Sequence, residues 1–469
     1  MDTLYNAGVT GKLYRLWFML NKDSQIRVKT AFGITDVAPT GENVAQGSIG
    51  GGLISALNLC KTMTAYFSGS DSEISYGSTR LSPILYQDDS ARFCTGIEEA
   101  QKGNILISCA MKAKQLELNV DKCGTILFGK GKRIQEMRDF IEKNNSLSIN
   151  HIKVKMKQED KYLGDYIHCL GLAKSVESTV NKRYGICMLQ VIEIKSVIEE
   201  FRMHSLGAIN SGLTIFNMSV LPVLLYNAST WFEVSKTTIN KLENLQLMLQ
   251  RCLLGVPTST PIPAMSWDLG MIGVQHQIND MKLMFLHYVI GLDQPVLAKE
   301  IYETQKSLNF PGLVSESREL ITYYDLPNII DQNMSISKQK WRSLVKQAIG
   351  VKYAEELKSK FSGSKLKDGP FKDENFEIKD YINQMNLTDA RTNFRSNMLN
   401  CQMNQRNNPV YAKNLWKCDA CQNLDTQSHL MWCPAYATLR EGLDIDCDKD
   451  VVQYFQKVFK IRESLDNEQ

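Results

Sequence analysis

The sequence predicts an α+β protein with a long, mostly helical C-terminal portion and a small zinc knuckle. Three observations carry that expectation. The first ~130 residues interleave short apolar runs, glycine turns and helical stretches in irregular order. From about Ser175 onward the apolar periodicity is almost wholly helical. A compact cysteine–histidine cluster then falls between Cys418 and Cys433.

The elements follow in order. Leu13–Leu20 (LYRLWFML) has helical spacing, and Gln25–Thr30 (QIRVKT) alternates like a strand. Gly41–Gly52 is a glycine-rich turn leading into Leu53–Leu59, a candidate helix. Leu81–Tyr86 is a short apolar run that ends at Asp88 and Asp89. Ile97–Leu118 reads as a helix and Thr125–Phe128 as a strand. Leu242, Leu245, Leu247, Leu249 and Leu253 mark a helix that Pro257, Pro261 and Pro263 close. Leu283–Ile290 continues the helical pattern, and Ser359–Asp373 (SKFSGSKLKDGPFKD) reads as a linker.

Length and composition bound the possibilities. The 469 residues, 43% hydrophobic and 22% charged, suit a folded chain rather than a disordered one. At ~150 residues per domain this is about three domains. The net charge of +3 leaves local patches to decide partners. Lys102–Lys161 is one such patch, with 13 basic residues against 7 acidic. It contains Gly129–Arg133 (GKGKR) and Lys153–Lys157 (KVKMK), whose lysines would share one strand face. That face suits phosphates, or is simply a solvated lysine-rich edge. The stretch from Glu441 is acidic, with eight carboxylates against four basic residues.

Twelve scattered cysteines and no secretory signal at the start lead us to expect reduced thiols, in the cytoplasm and nucleus. Met203–Phe232 carries no Asp, Glu, Lys or Arg and is long enough to span a bilayer. Its Ser and Asn residues and Pro222 favour a buried helix pair, so no membrane is expected as a partner.

Two constellations can carry chemistry. Tyr86-Gln87-Asp88-Asp89 follows an apolar strand, and a hairpin would hold the carboxylates at its tip. Paired carboxylates bind divalent cations through hard oxygens. An acidic β-turn is the other reading. Upstream, Gln46-Gly47-Ser48 offers a glycine for close backbone approach and a serine that can cap the next helix, or is a plain loop. The second constellation is Cys418-x2-Cys421-x7-His429-x3-Cys433. Two thiols suit a tight knuckle, and two ligands one helical turn apart face one side, which is Cys₃His zinc geometry. Trp416, Trp432 and Tyr436 flank it and can stack on bases or pack on the knuckle. The remaining histidines, His151, His168, His204, His276 and His287, have no companions at readable spacing.

In order, the Gln46–Ser48 loop, the Tyr86–Asp89 hairpin, Leu118-Asn119-Val120-Asp121-Lys122, Thr125–Gly129 and Asp160-Lys161-Tyr162-Leu163-Gly164 resemble the palm of a reverse transcriptase. The match is to the non-LTR retrotransposon (LINE-type) group. Gly8–Tyr14 and Arg27–Lys29 also look like that group. Lys241–Glu243, Gln246, Arg251 and Leu254-Gly255 resemble its helical thumb, and Ser428–Tyr436 resembles its C-terminal zinc knuckle. The resemblance implies a partial palm over 1–174, a thumb-like region over 175–290 and a helical linker over 291–400. It implies a zinc knuckle over 401–440, ahead of the acidic 441–469 tail.

The resemblance further implies RNA-directed DNA polymerase chemistry in the intact protein. Asp88 and Asp89 would hold Mg²⁺ for two-metal nucleotidyl transfer. Tyr86 and Gln87 would shape the hairpin near the primer end. Gln46, Gly47 and Ser48 would lie against template and incoming nucleotide, and Lys122 near the triphosphate. Zn²⁺ would be structural. The partners implied are an RNA template, a DNA primer or target, and deoxynucleoside triphosphates. Two departures stand out. Ala45 replaces a proline common in the group. The group's first metal-binding aspartate sits on a strand upstream of the Gly8–Leu20 helix, and this sequence starts inside that helix. We therefore expect this chain alone to be inactive as a polymerase. The resemblance leaves two readings of the chain: a reverse transcriptase fragment, and a catalytically inactive nucleic-acid-binding remnant that uses the basic palm and the knuckle.

Overall fold

A computed structural model describes residues 5, 8–21, 25–27, 29–30, 33–39, 74–81, 83–86, 89–113, 116–144, 146–200, 205–258, 260–293, 295–332, 336–362, 376–397, 418, 420–423, 427–444 and 447–467. Helix and sheet are mixed and helix dominates. The chain forms two compact units, Met1–Ser175 and Val176–Gln469.

In the first unit the strands are short, and among the described residues they form seven two-stranded pairs. Ile84–Tyr86 pairs antiparallel with Asp89–Ala91, in a register that sets Tyr86 opposite Asp89. Gln87 and Asp88 lie between them, outside the described residues. Glu159–Tyr162 pairs with Asp165–His168. Leu163 and Gly164 join these strands with φ of 48° and 91°. Two consecutive left-handed residues make the turn that matches strand twist, and glycine fits the second place without strain. The Ile97–Ala113 helix starts with Glu98 and Glu99 and ends near Lys112, which complements its dipole. The Glu99 carboxylate accepts from the Thr95 backbone N–H at 2.8 Å and closes the N-terminus. This helix meets the Ser148–Ile149 strand through Gln101, whose Oε1 accepts from the Ser148 N–H at 2.8 Å. Val120, Ile141, Leu147, Ile149 and Val154 form the small core beneath.

The lysine-rich stretch departs from a single strand. Ile152–Lys153 pairs with Ser148–Ile149, whereas Lys155–Met156 pairs in parallel with Gly124–Thr125. Val154 is buried where the chain changes partner. Gln25–Thr30 is divided likewise into Gln25–Ile26 and Lys29–Thr30, each with a different partner. Leu53–Leu59 lies outside the described residues.

The second unit is helical. Leu172–Glu200 runs for 29 residues. Lys236–Leu254 buries Leu242, Leu245, Leu249 and Leu253 on one face, as its leucine spacing requires. Ser235 caps its N-terminus by accepting from the Thr238 N–H. Gly255, at φ 61°, ends it before any proline is reached. Arg391, from Leu387–Asn397, then donates to the carbonyls of Leu253 at 2.9 Å and Cys252 at 2.6 Å and pairs with Glu199 at 2.7 Å. A cation at a helix C-terminus satisfies carbonyls that the helix leaves open.

The uncharged 203–232 stretch contains two short helices, Ala208–Ile215 and Leu221–Leu224, joined by a π-helical turn at Phe216–Val220. The wider turn lets the Leu221 N–H reach the Phe216 carbonyl just ahead of Pro222, which has no N–H to give. Phe216, Val220 and Leu224 enter the main core. Among the described residues no helix is long and apolar enough to cross a membrane.

A second core gathers Val274–Ile290, Leu297–Leu308, Leu313–Tyr323 and Lys338–Ser362 around Trp341, whose indole N–H donates to the Leu283 carbonyl at 3.0 Å. A third joins the cysteine cluster to the Asp448–Asn467 helix. The acidic stretch therefore contains a 20-residue helix. Tyr454, Phe455 and Val458 face the knuckle, while Val452 enters the main core and Gln456 donates to Asp389 at 2.6 Å.

Candidate metal centre

The knuckle is built from a tight turn and a short helix. After Cys418 the chain reverses: the Cys418 N–H donates to the Asn423 carbonyl at 2.7 Å, and the Gln422 N–H donates to the Cys418 carbonyl at 2.7 Å. Gln422 takes a φ of 61° to close this loop. His429 rides on Gln427–Trp432, and Cys433 follows that helix directly, ahead of Pro434–Arg440. One helical turn therefore separates His429 from Cys433, and both reach the turn that holds Cys418 and Cys421.

The four ligand atoms lie within 4.8 Å of one another. The Cys418 and Cys433 sulfurs are 3.9 Å apart, and Cys421 Sγ is 3.1 Å from His429 Nε2. Zn–S bonds of ~2.3 Å set a tetrahedral S···S edge of about 3.8 Å. The donor set fits zinc: three thiols and one imidazole fill four positions and leave none open, which is a structural rather than a catalytic arrangement. Among the described residues this is the one group of three or more His, Cys, Asp or Glu side chains close enough to hold a metal.

The electrostatics agree with that donor set. Burial pushes the Cys418 thiol up. Hydrogen bonds from His429, the Ala420 amide, Arg462 and the Cys421 amide outweigh it and leave the thiol below its ordinary value. Burial also raises Cys433, and the neighbouring Cys421 and Cys418 thiols push it further. Two sulfurs this close share their titration: the first proton leaves easily and the second is retained. A dication between them would remove that retention, because a coordinating thiol is deprotonated.

Support comes from residues that the sequence did not single out. The Tyr454 hydroxyl donates to the Leu430 carbonyl at 2.8 Å, and Arg440 donates to the Cys433 carbonyl at 2.8 Å. Arg462, buried on the C-terminal helix, reaches Cys418 and Tyr436. The signal was present: Val451, Tyr454, Phe455, Val458 and Arg462 recur at helical spacing. The aromatic flanks divide. Tyr436 is buried in the knuckle core, whereas Trp432 is 62% exposed with the Arg440 guanidinium 5.9 Å from its ring centroid. Trp416 lies outside the described residues.

Of the other site residues, Gln46, Gly47, Ser48, Gln87 and Asp88 lie outside the described residues. Asp89 is exposed at the start of its strand, opposite Tyr86, which is also exposed. Burial raises the Tyr162 hydroxyl, and the negative charge of Asp89 raises it further. The hairpin carrying Asp89 therefore stands near the one carrying Lys161-Tyr162-Leu163-Gly164. Lys122 is exposed in a turn, and its carbonyl accepts from Lys157 Nζ at 3.4 Å. The basic stripe is partly spent: Lys157 pairs with Asp160 at 2.8 Å and Lys155 approaches Asp121 at 3.9 Å.

No protein-family model matches this chain, and no curated protein matches it.

Proposed function

We propose that this chain is related to non-LTR retrotransposon reverse transcriptases and binds single-stranded nucleic acid through a zinc-stapled C-terminal module. The observation that carries the reading is the convergence of Cys418, Cys421, His429 and Cys433 on one four-ligand site. A structural zinc there would hold the short helix against the turn and present Trp432 outward. An exposed indole beside a guanidinium suits base stacking and phosphate contact together, and stacking is worth about 1–3 kcal/mol per base.

The order of the palm-like motifs supports descent from the polymerase group, as does the nearness of Asp89 to the Tyr162 hairpin. In that reading Asp88 and Asp89 would hold Mg²⁺ and Lys122 would lie near the triphosphate. The RNA template and DNA primer would lie on the basic Lys102–Lys161 stretch.

Fluorescence anisotropy of the full zinc-loaded chain with a single-stranded RNA tests the reading. Binding should weaken about 5-fold to 150-fold in Trp432→Ala, the range of one lost stack. It should fall with salt on a slope of about −0.7 per phosphate contacted. Cys421→Ser should abolish both zinc retention and the Trp432-dependent part of binding. RNA affinity that is indifferent to Trp432, Cys421 and salt would end the proposal. Primer extension with Mg²⁺, compared with Asp88→Ala, separates the catalytic outcome from the binding-only one.

A further inference from the structure

A groove of ≈ 1090 Å³ opens among the helices of the second unit. Its walls come from Lys236–Leu254, Val274–Ile290, Leu313–Tyr323 and Lys338–Ser362. Along the first of these, lining residues run from Ile239 to Gln250. At 1.5 Å per residue that face is roughly 16 Å long. A face of that length can lie along an extended ligand.

Its charge is one-sided. Five glutamates line it against two lysines. Lys282 is held by Glu316 at 2.6 Å, and Lys360 lies 3.8 Å from Glu356. Among the described residues Glu243 and Glu319 make no ion pair. Glu356 is fixed in place by the Tyr323 hydroxyl and by His276, whose Nε2 lies 3.5 Å away. The far nitrogen of that buried ring is 2.8 Å from the Tyr324 hydroxyl, which in turn accepts from Asn279 Nδ2 at 2.9 Å. Gln246 and Gln250 also line it; they are 4% and 1% exposed, and among the described residues their buried side-chain oxygens accept no hydrogen bond. Carboxylates on this wall thus outnumber the ammonium groups that meet them.

The acceptors are also dispersed. Among the described residues no three His or carboxylate groups of this groove come close enough to hold a single metal ion. Anions are repelled by the surplus of carboxylates. Leu247, Ile262, Leu320 and Leu357 lie among the polar groups and offer apolar wall between the charges. A ligand that fits carries several cationic donors spaced along an aliphatic chain.

We propose that this groove binds linear alkylammonium groups, either a free polyamine or the lysine side chains of an extended peptide. Glu243 and Glu319 receive the ammonium groups, and the leucine and isoleucine side chains pack the methylenes between them. This is a site in the helical unit separate from the metal centre, and it stands whether or not the nucleic-acid reading holds.

The test is isothermal titration of the full zinc-loaded chain, stripped of nucleic acid, with spermine in one arm and a tetralysine peptide in the other. Saturable binding of at least one probe is expected. Glu243→Gln with Glu319→Gln should weaken it at least 10-fold. Asn240→Lys, which sets a competing ammonium on an exposed position of the same wall, should weaken it as much. Circular dichroism should show each variant folded as the parent is. The arm that binds identifies the source of the ammonium. No saturable binding in either arm, or affinities in the folded variants within twofold of the parent, overturns the proposal.

Discussion

Phe455→Ala is the perturbation that most directly probes how the knuckle is held. Phe455 is 3% exposed and sits in the cluster that contains Cys418 and Cys433. Its ring meets Tyr454 edge-on at 5.3 Å and stacks on Phe459 at 5.9 Å. Removing a buried phenylalanine costs about 3–5 kcal/mol. The knuckle itself is small, and metal binding there is coupled to folding. If the Asp448–Asn467 helix must dock for the ligands to converge, the whole cost appears in the zinc affinity. At 1.4 kcal/mol per tenfold, about 4 kcal/mol is roughly a 10³-fold weakening. Competition against a chromophoric chelator measures it in the full chain. Val345→Ala, in the separate core around Trp341, is the control and should leave zinc affinity unchanged. Equal zinc affinity in Phe455→Ala and the parent would refute the reasoning, because the helix would then be an appendage and not a support.

Three further outcomes follow from other contacts. Arg391→Met should destabilise the second unit by about 1–3 kcal/mol in urea titration, because it removes the cation that the Glu199 carboxylate and the Leu253 and Cys252 carbonyls share. Burial holds the His276 pKa below its ordinary 6.5, although Glu356 pulls the other way. The folded state then binds fewer protons than the unfolded one, so stability from this group is intact above about pH 6.5 and declines as pH falls toward the folded value. Thermal melts from pH 7.5 to 5 should show a decline that His276→Gln reduces. Tyr454→Phe should cost about 1–3 kcal/mol, since it leaves the Leu430 carbonyl buried without its donor.

The parts of this molecule that were legible in sequence are those whose cause is local. The Cys418–Cys433 spacing fixes a turn and one helical turn, so ligand convergence could be read before any fold was known. The leucines of Lys236–Leu254 encode a buried face in the same way. His276 illustrates the opposite case. Its partners are Asn279, Tyr324 and Glu356, and no spacing rule links positions that only packed helices bring together. The acidic 441–469 stretch is masked by composition: eight carboxylates dilute an apolar stripe at helical spacing. In the first unit two-residue strands are too short to show alternation, so Lys153 and Lys155 read as neighbours on one strand although they pair with different partners. The π-helical turn before Pro222 was hidden for another reason, since a proline signals a break but not the way a helix absorbs it.

The central claim is the four-ligand zinc centre. The most direct test is metal analysis of the purified full chain under reducing conditions, joined to X-ray absorption at the zinc edge. The account requires one zinc per chain, with three sulfur neighbours near ~2.3 Å and one nitrogen near ~2.0 Å, and loss of that signature in Cys421→Ser. A chain that carries no zinc, or one whose zinc sits in a mainly oxygen and nitrogen shell that Cys421→Ser leaves unchanged, would contradict it.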